Sequence, residues 1–197
     1  MKKIICEWSL NLKSIIVYGT RYGATKGTAE EIAKVLRGEN FDVKIVNAQE
    51  EKVKDISEYG LVVVGSGVAC GRWVNAAEDF LKKFRKELEN KKLALFVSSV
   101  EPISVKEEKI TEVAKMHKID LEDRVSKHGL KPVSMGFFGG IIDFNRMGFL
   151  TRKSMEEAFK APLQKDGFKE TGSGAYDLRD WDEIRSWAKE VAKKVRG

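Results

Sequence analysis

The sequence predicts a three-layer α/β fold: a doubly wound, five-stranded parallel sheet with helices on both faces. Apolar, β-branched runs alternate with amphipathic helical patterns along most of the 197 residues, as repeated βα units require. Leu61–Val64 and Leu93–Val97 are unbroken apolar runs, which suits strands covered on both faces. The first apolar run, Ile15-Ile16-Val17, ends in a loop of glycine and threonine that passes straight into a helical pattern.

The elements follow in order. Residues 1–12 form an N-terminal extension; Glu7 interrupts its apolar stretch, so an export signal is not expected. A strand spans Ser14–Gly19 and a helix Thr25–Arg37. The next strand, Phe41–Asn47, alternates polar and apolar residues and is expected at an edge. Leu61–Gly65, Leu93–Ser98 and Val133–Phe138 complete the sheet. Helices are expected over Val74–Glu89, Val105–Val125 and Trp181–Val195. The chain reads as one domain over 1–197, with an insertion at 139–170, since this length suits a single well-buried core.

Composition narrows the partners. No apolar run approaches the roughly 20 residues needed to span a bilayer. Cys6 and Cys70 form no CxxC pair, which fits a reducing, cytoplasmic setting. His117 and His128 are the only histidines; neither has a ligand-spaced partner, so no metal is expected. The net charge is +6, favouring anionic partners or surfaces. The basic run Lys82-Lys83-Phe84-Arg85-Lys86 is interleaved with Glu78, Asp79, Glu87 and Glu89. That is a solvated helix face, and nucleic acid is not an expected partner.

A doubly wound sheet binds ligands outside the carboxyl ends of its strands. After the first strand comes Thr20-Arg21-Tyr22-Gly23-Ala24-Thr25. The opening N–H groups of a helix have no intrahelical acceptor and carry partial positive charge, so such a loop suits a phosphate monoester. Thr20 and Thr25 would add hydroxyl donors, and Gly23 would let the backbone approach closely. An ordinary βα turn with Thr25 as helix cap is the alternative. The loop ends in no Gly-Lys-Ser/Thr and lacks Gly-x-Gly-x-x-Gly, which excludes a Walker loop and a dinucleotide fingerprint. After the third strand, Gly65-Ser66-Gly67-Val68-Ala69-Cys70-Gly71-Arg72-Trp73 offers glycines, a hydroxyl and an aromatic to cover a flat ring. After the fourth, Ser98-Ser99-Val100 again offers hydroxyls and backbone donors.

The segment after the fifth strand is longer than a βα connection needs. From Phe144 to Met155 it carries Arg146, Arg152 and Lys153, no acid, and large apolar side chains. Either it is a helix packed on the core, or it is a flap that shapes a substrate pocket or touches lipid headgroups.

Thr20-Arg21-Tyr22-Gly23-Ala24-Thr25 resembles the flavodoxin phosphate loop, Thr/Ser-x-x-Gly-x-Thr. The loops from Gly65 and Ser98 fall where flavodoxins hold their ring, and Tyr176–Ile184 resembles the start of their last helix. The resemblance covers roughly Lys13 to Val195. Within that superfamily the chain is most similar to the branch containing the menaquinone-dependent protoporphyrinogen oxidases. The parallels are Val63-Val64-Gly65-Ser66-Gly67-Val68 with Gly71, Glu78–Lys83, the insertion and the basic charge. It departs from that branch at Ala69-Cys70, where a basic-aromatic pair is typical, and in an insertion poorer in tyrosine and arginine.

The resemblance implies a flavodoxin-like strand order, 2-1-3-4-5, and FMN as cofactor. The phosphate would be held by Thr20, Arg21, Tyr22, Gly23, Ala24 and Thr25, with the N–H groups of Tyr22, Gly23 and Ala24 as main donors. Ser66, Gly67, Val68, Ala69, Gly71 and Trp73 would line one side of the flavin, and Ser98, Ser99 and Val100 its pyrimidine edge. No residue is assigned as acid or base. An FMN oxidoreductase exchanging electrons with a porphyrinogen or a quinone is expected, cytoplasmic or peripheral on the cytoplasmic membrane face. A one-electron carrier docking on redox proteins and a non-catalytic flavin-binding module are the alternatives.

Overall fold

A computed structural model describes residues 12–68, 71–99, 121–165, 167–172 and 174–197. Five parallel strands form the central sheet: β1 (Leu12–Gly19), β2 (Phe41–Asn47), β3 (Leu61–Gly67), β4 (Lys92–Ser99) and β5 (Ser134–Gly139). Their order is β2-β1-β3-β4-β5. Successive residues of a strand point to opposite faces, and two cores result. Ile16, Tyr18, Leu61, Val63, Ala94 and Phe96 pack against α1 (Ala24–Gly38) and α6 (Trp181–Arg196). Ile15, Val17, Val62, Val64, Leu93 and Leu95 pack against α2 (Asn75–Lys83), the short α3 (Arg85–Leu88) and α4, residues 121–128.

The expected edge strand is β2, whose Asp42 and Lys44 are exposed between buried neighbours. The other edge, β5, also alternates. Expected and observed bounds differ in two informative places. β3 runs on through Gly65 to Gly67. These glycines resemble a loop in sequence, but a Cβ at Gly65 would overlap the Phe96 ring. The single helix expected over Val74–Glu89 is broken at Phe84, whose buried ring packs 4.9 Å from Phe80. Of the helix expected over Val105–Val125, residues up to 120 lie outside the described residues.

α1 contains Gly27 in its first turns, where glycine costs about 1 kcal/mol relative to alanine. A Cβ at Gly27 would overlap the Arg179 guanidinium. α6 starts cleanly: the Asp180 carboxylate accepts from the N–H groups of Asp182 and Glu183 at 2.9 and 3.0 Å, a strong cap.

Between β5 and α6 the chain builds a lobe. β6 (Ile141–Asp143) pairs antiparallel with β7 (Ala175–Asp177). A 3-10 turn (Phe144–Arg146) and α5 (Phe149–Lys165) lie between them. Ile142, Phe144, Leu163, Tyr176 and Leu178 form the lobe's own core. Phe144–Met155 is therefore neither one continuous helix nor wholly a flap: Phe144 is buried in the lobe, while Phe149 and Leu150 are 80% and 81% exposed. The lobe is fixed to the sheet where its two ends meet. The Leu178 N–H donates to the Gly140 carbonyl at 3.0 Å, and Gly139 lies so close to the Leu178 carbonyl that a Cβ would overlap it.

Candidate functional site

Parallel pairing in register brings the strand ends level. Gly19 is opposite Ser66, Gly67 opposite Ser98, and Ser99 opposite Gly139. The polar strand ends and the loop after β1 therefore converge at one edge. They enclose a crevice lined by Thr20, Arg21, Tyr22, Ala24, Thr25, Gly67, Val68, Ser98, Ser99, Gly140 and Ile141. A wider, open cleft of roughly 860 Å³ shares Thr20, Arg21 and Tyr22 with it and is completed by Gln49, Arg72 and Asn75, among others.

The loop after β1 is held from both sides. The Thr20 N–H donates to Gln49 Oε1 at 2.8 Å, and the Thr20 hydroxyl oxygen accepts from the Gly23 N–H at 3.0 Å. That hydroxyl retains its own proton for a ligand. Gly23, with φ of 90°, precedes α1 as its cap residue, and Thr25 lies buried in the first turn. Two expectations are corrected here. Thr25 is not the helix cap. Gly23 supplies the left-handed φ that side chains avoid. The Gly23 N–H, expected as a main donor, is taken by Thr20. The N–H groups of Ala24 and Thr25 open the helix without intrahelical acceptors.

The loop after β3 is closed on itself. The Ser66 hydroxyl accepts from the Val74 N–H at 2.9 Å and donates to the Gly67 carbonyl at 3.2 Å. Ser66 thus builds the loop and does not face the crevice. Gly67 does: a Cβ there would sit 3.1 Å from Thr25 Oγ1 and 3.6 Å from the Arg21 N–H nitrogen. Trp73 is only 1% exposed and belongs to the core beneath the loop. Its ring is unavailable to cover a flat ligand, and Tyr22, 41% exposed, is the aromatic at the crevice. The Arg21 guanidinium donates to the Trp73 carbonyl at 3.3 Å, tying the two loops. Gly71 takes φ of 66°, and its carbonyl accepts from Arg124 Nη2 at 3.2 Å. Ala69, Cys70 and Val100 lie outside the described residues.

The carboxyl end of β4 carries an unanswered group. Ser98 is buried, and its hydroxyl has no hydrogen-bond partner among the described residues; a buried polar atom without one costs about 1–3 kcal/mol. The Ser98 carbonyl accepts from the Val68 N–H at 2.9 Å, joining the end of β4 to the start of the loop after β3. Gly140 and Ile141 were missed from sequence, although the pair Gly139-Gly140 directly follows the fifth strand and so marks the same edge.

Ionisable groups nearby are structural. Burial would raise the Asp177 pKa, but hydrogen bonds from Arg179 overcome it and hold the carboxyl below its usual value. Burial lowers the His128 pKa against the opposing pull of Glu78. Burial would likewise raise Glu78, but Lys82 and Arg124 keep it below the usual carboxylate value. None of these groups lines the crevice.

The flavodoxin-domain profile matches residues 15–167, most of the chain. The chain belongs to the flavodoxin-domain family. The protoporphyrinogen IX dehydrogenase (quinone) of Escherichia coli strain K12 is 21% identical over 181 residues, covering 92% of this chain and 95% of that protein. The flavodoxin of Maridesulfovibrio salexigens is 29% identical over 93 residues, 43% of this chain and 61% of its own. Among solved structures, the Fusobacterium nucleatum flavodoxin bound to flavin mononucleotide superposes with a TM-score of 0.51 at 19% identity, covering 92% of this chain and 97% of that one. The flavodoxin-domain strand order is the one observed here.

The donor set fits FMN. Helix-opening N–H groups and two threonines suit a phosphate. Gly67 leaves the space a Cβ would fill, and the Ser98 hydroxyl lacks the partner that a flavin's polar edge offers.

Proposed function

We propose that the protein is an FMN-binding oxidoreductase that exchanges electrons with a quinone or a reduced tetrapyrrole. The observation that carries this reading is the convergence of polar strand ends at one edge, with an anion seat after β1 and an unpartnered hydroxyl at the end of β4. Bound FMN supplies the electron chemistry, while the protein binds, orients and tunes it. Thr20, Tyr22, Ala24 and Thr25 hold the phosphate through N–H and O–H donors, with Arg21 and Gly23 shaping the loop. Gly67 and Val68, with Ala69, line the ring; Ser98 and Ser99, with Val100, bond its pyrimidine edge. Ser66, Gly71 and Trp73 act behind them, holding the loop in shape. No side chain of the crevice is placed as an acid or base.

The relative named a protoporphyrinogen dehydrogenase supports the substrate class, as does the net charge of +6. The second reading is an electron carrier between redox proteins, supported by the flavodoxin relatives. One assay separates them. The purified yellow protein should release FMN on denaturation, and its flavin should be reduced by protoporphyrinogen or reoxidised by a menaquinone analogue. Reaction with a ferredoxin-like partner alone makes it a carrier. A colourless protein that ignores added FMN removes both readings.

Exposure of Phe149 and Leu150 beside Arg146, Arg152 and Lys153 supports a peripheral contact of the lobe with anionic lipid on the cytoplasmic face. No helix among the described residues is long and apolar enough to cross a membrane. The full chain should sediment with phosphatidylglycerol-containing vesicles and much less with phosphatidylcholine alone. The double substitution Phe149→Glu, Leu150→Glu should abolish this; equal binding to both vesicle types rules the contact out.

A further inference from the structure

α1 and the segment after β7 meet at Arg179, a nearly buried guanidinium outside the crevice. Its Nε and Nη2 donate to the two Asp177 oxygens at 2.7 and 2.6 Å. The guanidinium also lies 4.3 Å over the Trp181 ring. So pinned, its Nη1 reaches across the fold and donates to the Ala24 carbonyl at 3.3 Å. The same carbonyl accepts from the buried Thr28 hydroxyl at 3.2 Å. Gly27 is the space this requires, since a Cβ there would overlap Nη1.

The Ala24 carbonyl shares one planar trans peptide with the Thr25 N–H, and the two point in opposite directions. Whatever fixes the carbonyl from behind aims the N–H in front. We infer that Arg179 is a positioning residue for the anion seat: by holding the Ala24 carbonyl it directs the Thr25 N–H at the FMN phosphate. A cation on the carbonyl also polarises the peptide and strengthens its N–H as a donor. Asp177 and Trp181 hold the guanidinium in place, and Gly27 admits it. The inference rests on the FMN reading above.

Riboflavin carries the same ring without the phosphate, so the ratio of FMN to riboflavin affinity isolates the seat. In the flavin-stripped full chain, Arg179→Met should weaken FMN by roughly 10- to 100-fold, the scale of one charge-assisted hydrogen bond. Riboflavin affinity should stay the same. Gly27→Ala should act in the same direction with Arg179 still present, because it displaces Nη1, and alanine favours the helix should Arg179→Met fail to fold. An equal loss for both flavins, or an unchanged ratio in either folded variant, overturns the positioning role. A wild-type chain that binds riboflavin as tightly as FMN also overturns it, while leaving a flavin site. If the wild type binds neither, the FMN reading falls and the inference with it.

Discussion

In the central sheet, β3 is hydrogen-bonded to strands on both sides and every one of its residues is buried. In the lobe of residues 141–178, two three-residue strands pair with each other, Glu170 adds a single bridge to Tyr176, and five buried side chains among the described residues centre the core. The sheet fixes the crevice by ladder and register, whereas the lobe is held by a small apolar cluster and its attachment at Gly139–Gly140 and Leu178. Side-chain changes in the lobe other than at Ile141 and Asp177 should therefore alter what approaches the flavin while leaving its binding intact. Changes at the strand ends should do the reverse.

The largest expected effect comes at the attachment. Gly139→Val places a branched side chain against the Leu178 backbone, which cannot swing aside, and overpacking of this kind costs about 1–3 kcal/mol or more. Limited proteolysis should cut first within residues 142–176, and urea unfolding should shift accordingly. A lobe as protected as in the wild type would mean its own core suffices. Next, Gly23→Asp combines a strained φ with a negative charge at the anion seat. FMN affinity should fall by roughly a hundredfold or more, given about 1.4 kcal/mol per tenfold. Fluorescence titration measures this, and unchanged affinity would break the assignment of that loop.

Two smaller effects depend on pH. Asp177 has a folded pKa below its unfolded value, so its contribution is present above 3.8 and lost as pH falls through the lower folded value. Asp177→Asn should flatten that acid limb of the melting curve. His128 is buried and favours the neutral form. As pH drops below 6.5 the unfolded chain gains the proton first, and stability declines towards the lower folded value. In His128→Gln this decline should shrink; an identical profile would show that the imidazole does not contribute to it.

The middle of the sheet was legible in the sequence because β1, β3 and β4 are apolar runs whose burial on two faces leaves no alternation, and alternation marked β2 as an edge. The phosphate loop was legible for a related reason: strand, glycine, threonine and helix lie consecutively in the chain. What escaped was of two kinds. Gly140 and Ile141 join the crevice through pairing of β5 with β4, a contact across the sheet that local pattern does not carry. β6 and β7 are too short for a period of two to register, and they lie more than thirty residues apart. Trp73 was misleading because an aromatic after a glycine-rich loop has the same sequence whether it faces ligand or core. Only the packing of α2 and α4 decides it, with the Arg124 guanidinium 5.2 Å above its ring.

The hydrogen bond from Leu178 to Gly140 has a consequence for how such a chain can be remodelled. The lobe leaves and rejoins the main body at virtually one point, so it behaves as a replaceable cassette. Closing so short a gap needs only a brief turn, and the entropy of loop closure grows slowly with what is inserted there. A chain with residues 142–176 exchanged for a short glycine-containing link, keeping Asp177 for Arg179, should retain the five-stranded sheet. Specificity could thus be swapped in one piece, without disturbing the register that holds the strand ends level.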